Sequence, residues 1–186
     1  MVIIRYASSC SLAAIVGLTG TLLVVNNRPA KAFSSTCRAS VDLYDEFRKE
    51  TLAISNLLLS PLIGGAFASE SSERMNDLII NSFSGHVENA YNAYKRFSSS
   101  LIPCHLTLSF NKKPPSCAMF INALRDSMAN QRDSLLLPLD KILKEPNKSN
   151  RFSMYMGLEA RVNEINAETQ KRFNTGKRLL AICAAS

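Results

Sequence analysis

"CRASVDLYDEFRKETLAISNLL", residues 37–58, places Val41, Tyr44, Phe47, Thr51, Ile54 and Leu58 at steps of three and four. That spacing puts them on one face of an α-helix, because 3.6 residues per turn return every third or fourth side chain to the same side. Asp42, Asp45, Glu46 and Glu50, with Arg38, Arg48 and Lys49 interspersed, make a solvated, mixed-charge face. Ser60-Pro61 should end the helix, since the residue before a proline is pushed out of helical dihedrals.

Three further segments repeat the pattern. After the turn "LLLSPLIGGAF", Ser69 is a candidate N-cap with Glu70 and Glu73 in the first turn. Met75, Ile79, Phe83, Val87, Ala90, Tyr94 and Phe97 form the second stripe, which is expected to end near Ser99. Tyr91 lies off that stripe and is expected to point outward. The third begins after Pro114-Pro115, with Ser116 as cap and Cys117, Ile121, Leu124, Met128 and Leu135 in phase. Pro138 should kink it or break it into a short helix over about 138–145, because an interior proline removes a hydrogen bond. The fourth, from about Arg151 to Ile182, carries Tyr155, Leu158, Val162, Ile165, Thr169, Gly176, Leu179 and Cys183, with Arg172 weakening its lower half.

The four segments run about 26 to 32 residues, roughly 40–48 Å at ~1.5 Å per residue. Matched amphipathic lengths of this kind suit an all-α, antiparallel four-helix bundle in up-down-up-down order. There is no internal repeat, and the alternation "HLTLSF", residues 105–110, is the one strand candidate.

Residues 1–32 have a different character. Arg5 precedes an apolar run from about Leu12 to Val25, then Pro29 and the small-x-small triplet Ala30-Lys31-Ala32. The pattern predicts a secretory signal peptide cleaved after Ala32; the competing reading is a retained membrane anchor. The domain would then be residues 33–186, 154 residues, enough for one core without a metal. Arg5, Arg28 and Lys31 fall in the leader and all fifteen acidic residues after it, so +7 for the chain becomes +4 for the domain. That mild excess does not suit a nucleic-acid binder.

Four of the five cysteines, Cys37, Cys104, Cys117 and Cys183, lie in the domain, and an even number in an exported chain implies disulfides. In an up-down-up-down bundle both chain ends and the connection between the second and third helices meet at one end, so all four should gather there. Three pairings are open. Cys104–Cys117 with Cys37–Cys183 is the favoured one, because the first closes a local loop and the second joins terminal helices. A zinc site using His105 beside Cys104 is disfavoured, since the chain lacks two close cysteine pairs.

Catalytic signals are sparse. There is no G-x-S-x-G, H-E-x-x-H, C-x-x-C or phosphate-cradling glycine loop. His86 borders the second buried face and reads as a hydrogen-bonded packing residue, His105 as a loop residue. Asn147-Lys148-Ser149 matches a glycosylation acceptor, meaningful only in a eukaryotic secretory pathway. Lys171, Arg172, Lys177 and Arg178 make a candidate anion-facing patch, with Lys112-Lys113 and Lys95-Arg96 expected near the same end.

The architecture is similar to that of the plant invertase and pectin methylesterase inhibitors, exported four-helix bundles with paired cysteines. Those carry an early disulfide hairpin, whereas Cys37 has no partner before Cys104, so no family is assigned. The resulting expectation is an exported non-enzymatic bundle, periplasmic or extracellular, that binds another macromolecule, as an inhibitor, immunity or envelope-assembly protein does. No cofactor, metal or nucleic acid is expected, and a protein partner or an anionic surface is. The alternative is a small exported enzyme or cofactor carrier built on His86 or His105.

Overall fold

A computed structural model describes residues 33–60 and 72–185. The expected signal peptide, the expected Ser69 cap with Glu70, and the side chains of Glu73, Met75 and Ile79 lie outside the described residues. Within them the chain forms α1 (Ser35–Leu58), α2 (Ser72–Phe110), α3 (Pro115–Gln131), a π turn (Arg132–Leu136), α4 (Leu137–Lys144) and α5 (Lys148–Ala185). The backbone stays helical from α3 through the π turn into α4, so these make one rod and the molecule is a four-helix bundle.

The stripes read from the sequence form the core. Tyr44, Phe47, Ile54 and Leu58 of α1, Phe83, Ala90 and Phe97 of α2, and Cys117, Ile121, Leu124, Met128 and Leu135 of the third rod are buried. From α5 come Tyr155, Leu158, Val162 and Ile165. The weak lower half of α5 is closed by Phe173, one position beyond Arg172; its ring stacks on Tyr44 at 6.0 Å and lies under the Arg48 guanidinium at 4.2 Å.

Cross-helix contacts establish the topology. Cys37–Cys104, Ser40–Ser100, Phe47–Tyr94 and Glu50–His86 run in opposite sequence directions, so α1 and α2 are antiparallel. Tyr44–Phe173, Arg48–Gln170, Ser55–Asn166 and Leu58–Tyr155 show the same for α1 and α5. Tyr44–Ser127 and Thr51–Gln131 advance together, so α1 and α3 are parallel. Helix α1 thus carries four small polar groups, Ser40, Tyr44 Oη, Thr51 and Ser55, each meeting a partner on another helix. Every such bond adds only about 1 kcal/mol, but a helix sliding by one turn would leave it unmade inside the core, which costs more.

Three local expectations are corrected. Helix α2 does not stop near Ser99: it continues through Pro103 to Phe110, so "HLTLSF" is helical and His105 is a half-buried helical residue. The proline forfeits one backbone bond, while burial of Cys104 and Leu108 on the inward face holds the last two turns. Ser116 does not cap α3; Pro114 holds the cap position, Pro115 opens the helix, and the Ser116 hydroxyl is buried without a partner among the described residues. Tyr91 does not point outward: it packs half-buried against the core, where burial raises its phenol pKa.

Pro138 sits in the first turn of α4, directly after the π turn. The Leu137 N–H reaches back to the Arg132 carbonyl, a wider loop than the α-helical one. The widened turn lets Leu135, Leu136, Leu139 and Ile142 all face the core.

The disulfide pairing also differs from expectation. The bridges are Cys37–Cys104 and Cys117–Cys183, with Cα–Cα distances of 4.7 and 4.9 Å. Cys104 belongs to a helix and faces α1, so a local loop closure onto Cys117 does not form. Each bridge staples one helical hairpin, α1 to α2 and the third rod to α5, across separations of 67 and 66 residues. No sequence repeat accompanies this, yet the two hairpins are stapled alike: Cys117 follows Cys37 by 80 residues and Cys183 follows Cys104 by 79, and Thr51 bonds Gln131, 80 residues on, across the core at 3.2 Å.

Candidate functional site at the disulfide end

Both bridges sit at the end where α2 turns into α3, as the up-down-up-down order requires. The turn itself is tight. Lys113 N–H bonds the Leu108 carbonyl and Lys112 N–H the Ser109 carbonyl, a closing motif that places Lys112 in the left-handed region at φ 48°. Glycine usually holds that position; a side chain there costs roughly 1 kcal/mol. Pro114 and Pro115 then stiffen the entry to α3.

Around this turn the surface is apolar. Ile102, Leu106 and Phe110 recur at four-residue steps on the side of α2 opposite Cys104, and they are 72%, 53% and 83% exposed. Met119, two residues past Cys117, and Ile182, beside Cys183, are more than half exposed as well. Elsewhere among the described residues the exposed large apolar side chains reach at most 45%, at Met156.

The same end is cationic. Arg38, Lys112, Lys113, Lys177 and Arg178 lie within six residues of a bridging cysteine, about 9 Å along a helix, and all are exposed. Asp42 is the one carboxylate in that span among the described residues. Farther along the third rod Lys144 pairs with Asp140 at 2.7 Å and Arg132 with Asp133 at 2.6 Å.

The patch expected on α5 is partly dispersed. Arg172 pairs with Glu168 at 3.0 Å, and Lys177 Nζ sits 4.8 Å from the Phe173 ring centre. Lys171 and Arg178, seven residues apart, share an exposed face. Arg96 reaches Glu46 at 3.4 Å and, like Lys95, lies more than two turns below Cys104.

His86 does make a defined contact. Its Nδ1 lies 2.6 Å from Glu50 Oε2, with the carboxylate 13% exposed and the imidazole 39%. This is the orienting half of a proton-transfer system, a histidine held by a carboxylate. It lacks a nucleophile in hydrogen-bond contact among the described residues. The carboxylate locks α2 against α1, the packing role read from the sequence. The four bridging cysteines carry no free thiolate, and no cluster of three or more metal-binding side chains occurs among the described residues. Asn147 Oδ1 accepts from the Asn150 N–H at 3.0 Å, so it caps α5.

The sequence reading missed Ile102, Leu106 and Phe110 because it ended the second helix near Ser99; read as helix, their four-residue spacing marks one face. Comparison with protein-family models, curated proteins and solved structures finds no match to this chain.

Proposed function

We propose that the protein is exported and non-enzymatic, and that it engages another macromolecule through its disulfide end. The observation that carries this reading is the convergence there of five cations with the five apolar side chains that are most exposed among the described residues. Isolated exposed apolar residues are ordinary, but an apolar cluster at one end of a bundle marks a contact surface. A lysine kept in a backbone conformation that favours glycine supports the same surface, since local strain gathers where a side chain is needed. Two disulfides fit an oxidising compartment, and the apolar run before Ala32 supports export by a cleaved leader. No helix among the described residues is long and apolar enough to cross a membrane.

The test compares the native protein with the triple variant Ile102→Ser, Leu106→Ser, Phe110→Ser for association with isolated envelope fractions. The variant should lose association while keeping its helicity and melting temperature, because none of the three side chains is buried. If association survives the triple change and is lost in His86→Ala, the working site is the His86–Glu50 pair and the binder reading is wrong.

A further inference from the structure

Building on that reading, we propose that the occupant of the disulfide end is an anionic lipid surface, docked end-on. Two features choose lipid. The exposed apolar side chains at this end come from three helices, Ile102, Leu106 and Phe110 on α2, Met119 on α3 and Ile182 on α5. An apolar set spread over three helices fits a fluid, deformable surface better than the shaped face of a folded partner. The cations at the same end complement anionic headgroups, the combination by which peripheral proteins hold to a bilayer without crossing it.

Chain connectivity points the same way. Residues 1–32 join the fold at this end through Phe33, whose ring packs 5.6 Å from Phe120 beside Cys117. Their apolar run, Leu12–Val25, therefore ends only seven residues before the tip. Lys112 and Lys113 cap the tip, and the strained φ of Lys112 fixes the first of them there.

The chain contains no tryptophan, so a single substitution reports on its own site. Phe110→Trp in protein recovered from the export compartment should show a blue-shifted emission on mixed phosphatidylglycerol–phosphatidylcholine vesicles. Pure phosphatidylcholine should leave it unchanged, and Met156→Trp at the opposite end should stay unchanged on both. Lys112→Glu with Lys113→Glu should weaken vesicle binding at least 25-fold, about fivefold for each cation removed. Any residual leader would insert into both vesicle types alike, so equal shifts on the two overturn the proposal. Absence of a shift on anionic vesicles overturns it too. If envelope association persists in that case, the binder reading stands with a protein or polysaccharide as partner; if envelope association is also missing, both fall.

Discussion

The two ends of the bundle are held by different physics. At the disulfide end one covalent bridge ties each hairpin, and the surface can therefore be apolar, cationic and strained without opening. At the far end there is no bridge among the described residues, and order depends on buried contacts. Tyr155 Oη donates to the Leu58 carbonyl at 2.9 Å, closing the C-terminus of α1, and Arg151 Nε donates to the Glu145 carbonyl at 2.9 Å to hold the loop into α5. Leu135, Leu136 and Leu139 fill the space between. A covalently secured end is free to carry a costly surface, whereas an end secured by packing depends on its buried contacts.

The sharpest way to break this contrast is to open the bridges. Removing either one should cost about 4 kcal/mol by the loop-entropy model, and the two costs should agree within ~1 kcal/mol because the closed loops are nearly equal in length. Thermal melts of Cys37→Ser with Cys104→Ser, against Cys117→Ser with Cys183→Ser, measure both. Unequal costs would show that the hairpins are not energetic equivalents. Helicity should survive below the melt in each case, since the apolar stripes remain.

At the far end, Leu139→Ala should cost about 2–5 kcal/mol in denaturant unfolding, the usual range for a buried leucine that leaves a cavity. A cost below ~0.5 kcal/mol would place the core's boundary short of α4.

Tyr155→Phe should cost about 1–2 kcal/mol, because the Leu58 carbonyl then loses its donor. The same residue makes an alkaline prediction. Burial raises the phenol pKa of Tyr155, and burial, partly offset by the Ser127 hydrogen bond, raises that of Tyr44. The unfolded phenols ionise near ~10, so above that pH the native state holds more protons than the unfolded one. Stability should be flat with respect to these groups below pH ~10 and fall above it, by up to ~1.4 kcal/mol per pH unit for each tyrosine. Tyrosinate absorbance and helicity should then change together, and Tyr44→Phe with Tyr155→Phe should remove that part of the slope.

The smallest effect is expected at the tip. Lys112→Gly should stabilise the fold by roughly 0.5–1 kcal/mol by relieving the left-handed strain, while weakening vesicle binding about fivefold. Opposite signs for stability and binding would show that the disulfide end trades one for the other.

Much of the fold was legible in the chain. The stripe through Tyr44, Phe47, Thr51, Ile54 and Leu58 is visible because burial on one side imposes a 3.6-residue period directly on the sequence. The gathering of four cysteines at one end followed from topology. Their pairing did not, because it depends on which face of α2 Cys104 occupies, and the stretch beyond Ser99 read as a loop. The candidate site was hidden for the same reason: Ile102, Leu106 and Phe110 become a stripe only once the backbone is known to stay helical. His86 was placed at the border of the core, but its Glu50 partner comes from another helix, 36 residues away.

The sequence by itself determined the secondary structure class, the number of rods, their antiparallel order and the end at which the thiols meet. These are consequences of local periodicity and of chain reversal at turns. Tertiary structure alone decided the Cys37–Cys104 and Cys117–Cys183 bridges, the continuation of α2 past its proline, the π turn before Pro138 and the exposed tip. In each of these, contacts distant in the chain outweigh a local preference of a few kcal/mol: two buried anchors, Cys104 and Leu108, offset one missing backbone hydrogen bond, and the helix runs on to Phe110.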